Sequence, residues 1–247
     1  MLNDALVVVG DRFDSFLVNR GTISASDLMR RLRTQGGSRP LSIVIGQGLA
    51  ADQLSKIRKL LESNPQAAAV GGIPAFAEKR LTHKRNPKNT MIGTPVRMAA
   101  DWFVADLLID ERTEVLEDHL TGQHIPGIAL MEAARQTWTA VTEMFFLKDT
   151  PTKQRFVINS MRSAFHKYVF PLPACVEYRL VGREGNASGQ VFKCLICVYQ
   201  ENVLAAEIEA EYRVIPEVFS EKYESMLARQ VVVNHLTRVE QTAEKAG

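Results

Sequence analysis

The stretch DHLTGQHIPGIALMEAARQ, Asp118 to Gln136, gathers residues whose types and spacing suit chemistry. Pro126-Gly127 stands where a loop gives way to a helical pattern. Proline fits the first helical turn because its missing N–H would be unpaired there, and glycine lets a ligand approach the backbone closely. The free amides of that helix start, with the positive end of the dipole, suit the oxygen of a polarised carbonyl such as that of a thioester. Glu132 follows in the second turn among Ile128, Leu130, Met131 and Ala134. A carboxyl in such an apolar wall is expected to have a raised pKa, which suits acid–base work. His119 and His124 flank the loop and exchange protons near neutral pH. Arg135 is placed to pair with Glu132 or with an anionic group of a substrate. Each residue also has a plainer reading: a solvated helix glutamate, structural loop histidines and a surface arginine.

The elements that must position these residues fall into three parts. From Ala5 to about Gly72 strand and helix patterns alternate. Ala5–Val9 and Leu41–Ile45 are apolar runs ending at glycine. Ser24 to Arg33 reads as a helix with Ser24 and Asp27 at N-cap spacing, Leu54, Ile57, Leu60 and Leu61 mark one face of another, and Ala67–Val70 suggests a third strand. The β-α-β-α-β order predicts a small three-layer α/β unit. Gly72 to Gly93, rich in Gly, Pro, Lys and Arg, is a transition, with a boundary expected near Phe76. Beyond it come a strand (Asp101–Ile109), a loop (Asp110–Ile125) and one long helix from Ile128 to about Phe146. Four strand candidates follow: Arg155–Phe165, Cys175–Gly182, Gln190–Tyr199 and Val203–Val214. The last alternates, with Ala206, Ile208, Ala210, Tyr212 and Val214 on one face and Glu207, Glu209, Glu211 and Arg213 on the other. A sheet with one apolar face can wrap such a helix as its core. The expected architecture is an α+β hotdog, an antiparallel sheet wrapped around a long central helix, preceded by the small α/β unit. The expected domains are 1–76, 77–215 and a mostly polar helical tail, 216–247.

The chain has 247 residues, of which 46% are hydrophobic, so a sizeable core can be buried; its net charge of +2 gives no reason to expect nucleic acid or an anionic membrane. No run approaches the roughly 18 apolar residues of a membrane span, and the N-terminus lacks the basic region of a secretory signal. A soluble, cytoplasmic protein is expected. Cys194 and Cys197 form a C-x-x-C string inside a strand pattern. Residues three apart on a strand point to opposite faces, so plain buried thiols are expected, not a metal site or a disulfide.

The helix string resembles the motif of hotdog β-hydroxyacyl-carrier-protein dehydratases, in which a loop histidine precedes Pro-Gly and a helix glutamate follows. Here the loop from His119 to Pro126 is one residue shorter. The closer resemblance is to the A-factor biosynthesis (AfsA-like) hotdog family, whose segment looks like DHxxxHVPGxxLxEAARQ. With one more residue between the two histidines than that pattern has, it is matched at Asp118, His119, His124, Pro126, Gly127, Leu130, Glu132, Ala133, Ala134, Arg135 and Gln136. Thr82-His83-Lys84 is similar to the family's hydrophobic-His-Lys opening, with Thr82 a departure. The resemblance implies transfer of a β-ketoacyl group from an acyl-carrier-protein or coenzyme A thioester to a hydroxyl acceptor such as dihydroxyacetone phosphate, leading to butyrolactone- or butenolide-type products. On that basis Glu132 or His119 would be the general base, with His124 a further catalytic candidate. Gly127 N–H would stabilise the oxyanion, and His83, Lys84, Arg85 and Arg135 would meet the substrate. Family members usually carry two hotdog repeats and this chain shows one, so a homodimer is expected to restore the pair. Dehydratase or thioesterase chemistry on the same scaffold, or a non-catalytic acyl-binding module, are the alternatives.

Two weaker signals remain. Gly46, Gly48 and Ala51 spell G-x-G-x-x-A between a strand and a helix, the geometry that seats a pyrophosphate. The next strand region, Gln66–Gly71, lacks the acidic residue expected for the ribose, so a structural turn and no cofactor are expected. Lys79, Arg80, Lys84, Arg85 and Lys88 form a basic cluster suited to an acidic carrier protein, or else a solvated linker.

Overall fold

The computed structural model describes residues 5–34, 40–117, 121–150, 152–186 and 189–246. Its first part is a parallel sheet of β1 (Ala5–Val9), β2 (Thr22–Ser24), β3 (Leu41–Ile45) and β4 (Ala67–Ala69), in the order β2-β1-β3-β4. Two helices, α1 (Ala25–Thr34) and α2 (Ala51–Glu62), connect the strands. Ser24 caps α1, its hydroxyl accepting from Asp27 N–H at 3.1 Å and donating to the Asp27 carboxylate at 3.2 Å. The period-2 alternation of β1 divides its side chains between two cores. Val8 packs with Leu28, Ile43, Leu54 and Ile57 beneath the helices. Val7 and Val9 turn the other way, into the core of the second part. The expected three-layer unit is therefore corrected: α1 and α2 pack together against one face, and the second part of the chain covers the other. β2 is an additional strand, too short at three residues to leave a periodic signal.

The second part comprises β5 (Val96–Arg97), β6 (Trp102–Asp106), α3 (Glu114–Glu117), α4 (Gly127–Val141), β7 (Gln154–Phe165), β8 (Cys175–Asn186), β9 (Gly189–Gln200) and β10 (Val203–Pro216). The strands form one antiparallel sheet in the order β5-β6-β8-β9-β10-β7. Ala206, Ile208, Ala210, Tyr212 and Val214 face the core and are buried, as the alternation requires. They meet α4, which is apolar on nearly every side because it is sunk into the sheet. Its Ala129, Ala133, Ala134 and Ala140 are fully buried and bring the helix backbone close to the strands. Trp138 fills the remaining space, stacked on Tyr212 at 5.4 Å, and Tyr212 stacks in turn on Phe192 at 5.3 Å. The buried hydroxyls of Thr137 and Thr139 return to carbonyls of their own helix, each at 2.8 Å. After Val141 the helix continues as a wider π-helical turn, Thr142–Phe146. A last helix, α5 (Glu217–Ala246), leaves the end of β10. It is less polar on its surface than expected: Phe219, Tyr223, Met226, Val231, Val232 and Leu236 are exposed along it.

The two parts are joined by buried polar contacts. The Gln47 side chain, 2% exposed, donates to the carbonyls of Leu107 (2.8 Å) and Leu172 (3.2 Å) and accepts from Ile109 N–H at 2.8 Å. Gly46 and Gly48 flank it because backbones meet there: an added Cβ would lie 2.2 Å from Pro171 O at Gly46, and 2.7 Å from Gly10 Cα at Gly48. The G-x-G-x-x-A turn is thus a seam between domains. The N–H groups of Gly46, Gln47, Gly48 and Ala50 are spent on Val8 O, Pro171 O, Ile109 O and the Gln53 side chain, which leaves them nothing to offer a phosphate. Gln47→Ala orphans two buried backbone groups and should cost about 2–4 kcal/mol. Urea unfolding of the full chain measures this, and a loss below about 0.5 kcal/mol, the scale of an ordinary surface substitution, would mean that the seam does not hold the parts together.

Candidate active site

Pro126 precedes α4 in an extended conformation (φ −61°, ψ 143°), so the chain enters the helix abruptly at Gly127. Among the described residues the N–H groups of Gly127 and Ile128 donate to nothing, as expected of a helix start without a side-chain cap. The Phe165 ring at the end of β7 lies against Gly127, where a Cβ would come within 2.9 Å of it. Ile128 and Phe165 are about half exposed, so this helix start opens on an apolar surface.

One turn further along, Glu132 faces the segment that precedes β5. Its carboxylate accepts from Lys84 Nζ at 2.5 Å, Arg135 Nε at 2.9 Å, Arg135 Nη2 at 3.0 Å and Gln136 Nε2 at 3.0 Å. Burial pushes the Glu132 carboxyl up, but these donors and the neighbouring positive charge outweigh it, and the group is held below its ordinary range. The expectation of a raised pKa is corrected. The apolar neighbours that suggested it are neighbours in sequence, whereas Lys84 approaches from 48 positions away. Gln136, fully buried, fixes the arrangement: its Nε2 also donates to Asn89 O at 2.8 Å, and its Oε1 accepts from Met91 N–H at 2.8 Å. Arg135 donates to Thr82 O at 2.8 Å as well. Thr82, at a position where the resembled family is apolar, is buried with its hydroxyl on Lys79 O at 3.1 Å.

The other expected residues lie on either side of this cluster. His83 has a positive φ of 53°, a conformation uncommon for side-chain-bearing residues. Its Nε2 is 2.9 Å from Glu143 Oε1 in the π-helical turn, and its ring meets Phe156 of β7 edge-on at 5.1 Å. The Arg85 side chain has no partner among the described residues. Most of the basic cluster is paired within the molecule, Arg80 with Glu78, Lys84 with Glu132, and Lys88 with Glu114 and Glu117. His124 stands before the helix, its Nδ1 3.1 Å from Thr121 Oγ1 and its ring 4.8 Å from Tyr168. No hydrogen bond joins it to the Glu132 cluster among the described residues. His119 lies outside the described residues. The structure thus brings Glu132, Arg135, Lys84 and, through Thr82, His83 together, and sets His124 with Gly127 at the start of the helix. Sequence reasoning named Gln136 only as a motif match and missed Asn89 altogether; neither carries a signal of its own without the contact across the fold. Cys194 and Cys197 are buried free thiols, and burial pushes both up. Among the described residues no cluster of His, Cys, Asp or Glu could hold a metal ion, and no helix is long and apolar enough to cross a membrane.

An antiparallel sheet closed around one long buried helix, with a Pro-Gly helix start and a glutamate in the next turn, defines a hotdog domain. The family model of the A-factor biosynthesis hotdog domain, AfsA, matches residues 66–216, well over half of the chain, and the chain belongs to that family. No curated protein matches it. Among solved structures, similarity extends to the dehydratase heterocomplex ApeI:P of Xenorhabdus doucetiae (9% identity, 58% of this chain and 93% of that one, TM-score 0.45). It also extends to a candidate thioesterase of Shewanella oneidensis (13%, 56% and 96%, TM-score 0.41). A thioesterase variant of Pseudomonas aeruginosa is similar at 11% identity (68% and 95%, TM-score 0.39).

The Glu132 cluster predicts a pH dependence. A carboxyl whose folded pKa lies below its unfolded value of 4.5 adds stability above that value and loses it as the pH falls through the folded pKa. Glu132→Gln leaves Lys84 and Arg135 without their anion and should cost about 1–3 kcal/mol at pH 7. The gap to the unsubstituted protein should narrow steadily below pH 4.5. Thermal unfolding of both proteins at a series of pH values tests this; a gap that widens in acid would show that Glu132 is protonated in the folded state.

Proposed function

We propose that the chain is an acyl-thioester enzyme that transfers a β-ketoacyl group from acyl carrier protein or coenzyme A to the hydroxyl of a phosphorylated acceptor, with dihydroxyacetone phosphate as the first candidate. The observation that carries this reading is the Glu132 cluster in a member of the AfsA family: two cations held on one carboxylate, beside the open amides of Gly127 and Ile128. Together with the unpartnered Arg85, the cations suit an anionic acceptor. In the transfer the acceptor oxygen attacks the thioester carbonyl, the oxyanion forms against the helix-start amides, and the thiolate leaves. The hydroxyl proton passes through a histidine to that thiolate, and His119 is the candidate. A carboxylate held ionised is a poor proton donor, which disfavours Glu132 as the acid of a dehydration and gives it the work of orienting Lys84 and Arg135. A second copy of the chain is proposed as partner, paired along β7, whose outer edge has no strand beside it among the described residues.

Intact mass spectrometry of β-ketoacyl carrier protein mixed with the enzyme, with and without dihydroxyacetone phosphate, tests the reaction. Acyl loss that requires the phosphate, with an ester product, is expected. Loss without it would make the protein a thioesterase, and an intact carrier would remove the transfer reading for that substrate. His119→Ala should slow turnover by about 10²–10⁴-fold, and Glu132→Ala should also reduce it while the protein stays folded. Light scattering after size exclusion should give the mass of two chains; a single-chain mass would remove the dimer.

A further inference from the structure

Glu132, Arg135, Thr139 and Glu143 follow one another at helical spacing, along α4 and into the π-helical turn, and so form a row on one face. Thr82, His83 and Lys84 lie against that row. Lys84 sits on the Glu132 carboxylate, Thr82 O on Arg135, and His83 Nε2 is 2.9 Å from Glu143 Oε1. Glu143 therefore holds His83 as Glu132 holds Lys84. No part of the Glu132 cluster needs this second pair.

The backbone under His83 gives it a meaning. Lys84 N–H donates to Lys79 O at 2.9 Å and His83 N–H to Arg80 O at 3.3 Å, the two bonds that close a helix-ending turn. The residue at the place of His83 in such a turn has a positive φ and is usually glycine; here φ is 53°. A side chain kept at that place carries backbone strain that glycine would relieve. The ring is half-buried, with Phe156 against it. A carboxylate only accepts hydrogen bonds, so Nε2 carries the proton that points at Glu143. Nδ1 has no partner among the described residues, and Lys84 and the unpartnered Arg85 follow directly in the chain.

We propose that the His83–Glu143 pair belongs to the phosphate site of the acceptor, with His83 Nδ1–H donating to a phosphate oxygen and Glu143 as the positioning residue. This rests on the reading of the acceptor as phosphorylated. A neutral ring held through Nε2–H offers only a lone pair at Nδ1, which a phosphate dianion cannot use. The ring that binds phosphate therefore carries both protons, an imidazolium between two anions. Above the ordinary histidine range, phosphate binding then draws a proton from the solvent, and affinity falls as the pH rises. The charged groups around the ring are Glu143, Glu132 and Arg135 from the helix and Lys84 and Arg85 from its own segment; β7 meets it with the uncharged Phe156. A pair that only fastened the segment to the helix would need neither the positive φ nor a free Nδ1.

Isothermal titration of the full chain with dihydroxyacetone phosphate at about pH 8, in buffers of different ionisation heat, tests this. Proton uptake on binding is expected, with none for dihydroxyacetone, which lacks the phosphate. His83→Gly, which suits the positive φ, should weaken binding by about tenfold and abolish the uptake, while the urea midpoint of unfolding does not fall. Glu143→Gln keeps an acceptor for Nε2–H without the charge, and should retain part of the affinity and part of the uptake. No binding to the unsubstituted chain, binding without proton uptake, or uptake that survives His83→Gly would each overturn the proposal. Where ester formation is measured, His83→Gly should raise KM for the phosphate acceptor and leave KM for the carrier protein within about twofold. Uptake that depends on His83, with no ester formed from any acyl carrier, would refute the transfer and leave this site standing. Ester formation with uptake unchanged in His83→Gly would do the reverse.

Discussion

A carboxylate taken out of water stays ionised only where cations and hydrogen-bond donors replace the water. Glu132 meets that demand with Lys84, Arg135 and Gln136, and much of the second domain is arranged around the requirement. Arg135 and Gln136 come from the same helix, but Lys84 has to be brought from a segment that precedes the sheet. That segment is therefore fastened to α4 by Thr82 O on Arg135, and by Asn89 O and Met91 N–H on Gln136. A stretch whose composition reads as a solvated linker becomes a wall of the site. The helix can serve as the other wall because its alanines let it sink into the sheet without moving the glutamate off the rim.

The parts of this arrangement that were legible beforehand are those that a local period reports. The alternation of Ala206 to Val214 marked the inner face of β10, and the Pro126-Gly127 step placed the start of α4 within one residue. The pairing of Arg135 with Glu132 also follows from helical spacing alone. What stayed hidden depends on contacts between residues far apart in the chain. The ionisation of Glu132 turns on Lys84, and the two faces of β1 turn on a domain that begins some sixty residues later. The glycines of the G-x-G-x-x-A turn carry the same ambiguity: close backbone approach is what they permit, and only the fold says whether a phosphate or Pro171 and Gly10 do the approaching.

Gln47 and Glu111 show why the small parallel sheet is not a separable nucleotide-binding unit. In open parallel sheets ligands sit beyond the carboxyl ends of the strands, where neighbouring connections diverge. Here β1 and β3 are those strands, and their ends are occupied by Ile109–Glu111 of the hotdog domain. Gly48 N–H donates to Ile109 O at 2.7 Å, and Glu111 N–H returns to Gly48 O at 3.2 Å. Burial raises the Glu111 carboxyl above its ordinary value, the cost of filling a crevice with protein. In return, the end of β1 is fixed against the strand-to-helix connection that leads to Asp118.

The edge strand β7 links the two halves of the site. At one end Phe156 meets His83, near the Glu132 cluster; at the other Phe165 lies on Gly127. Between them, Ser163 Oγ lies 3.7 Å from the sulfur of Met131 on α4. The strand meets α4 at Ser163 and Phe165, is exposed through its middle, and has an outer backbone edge without a neighbouring strand among the described residues. A strand added along that edge would pass both Phe156, near the carboxylate cluster, and Phe165, at the helix start. Whatever covers that edge would therefore stand beside the two ends of the site at once, because the same twelve-residue strand carries both Phe156 and Phe165.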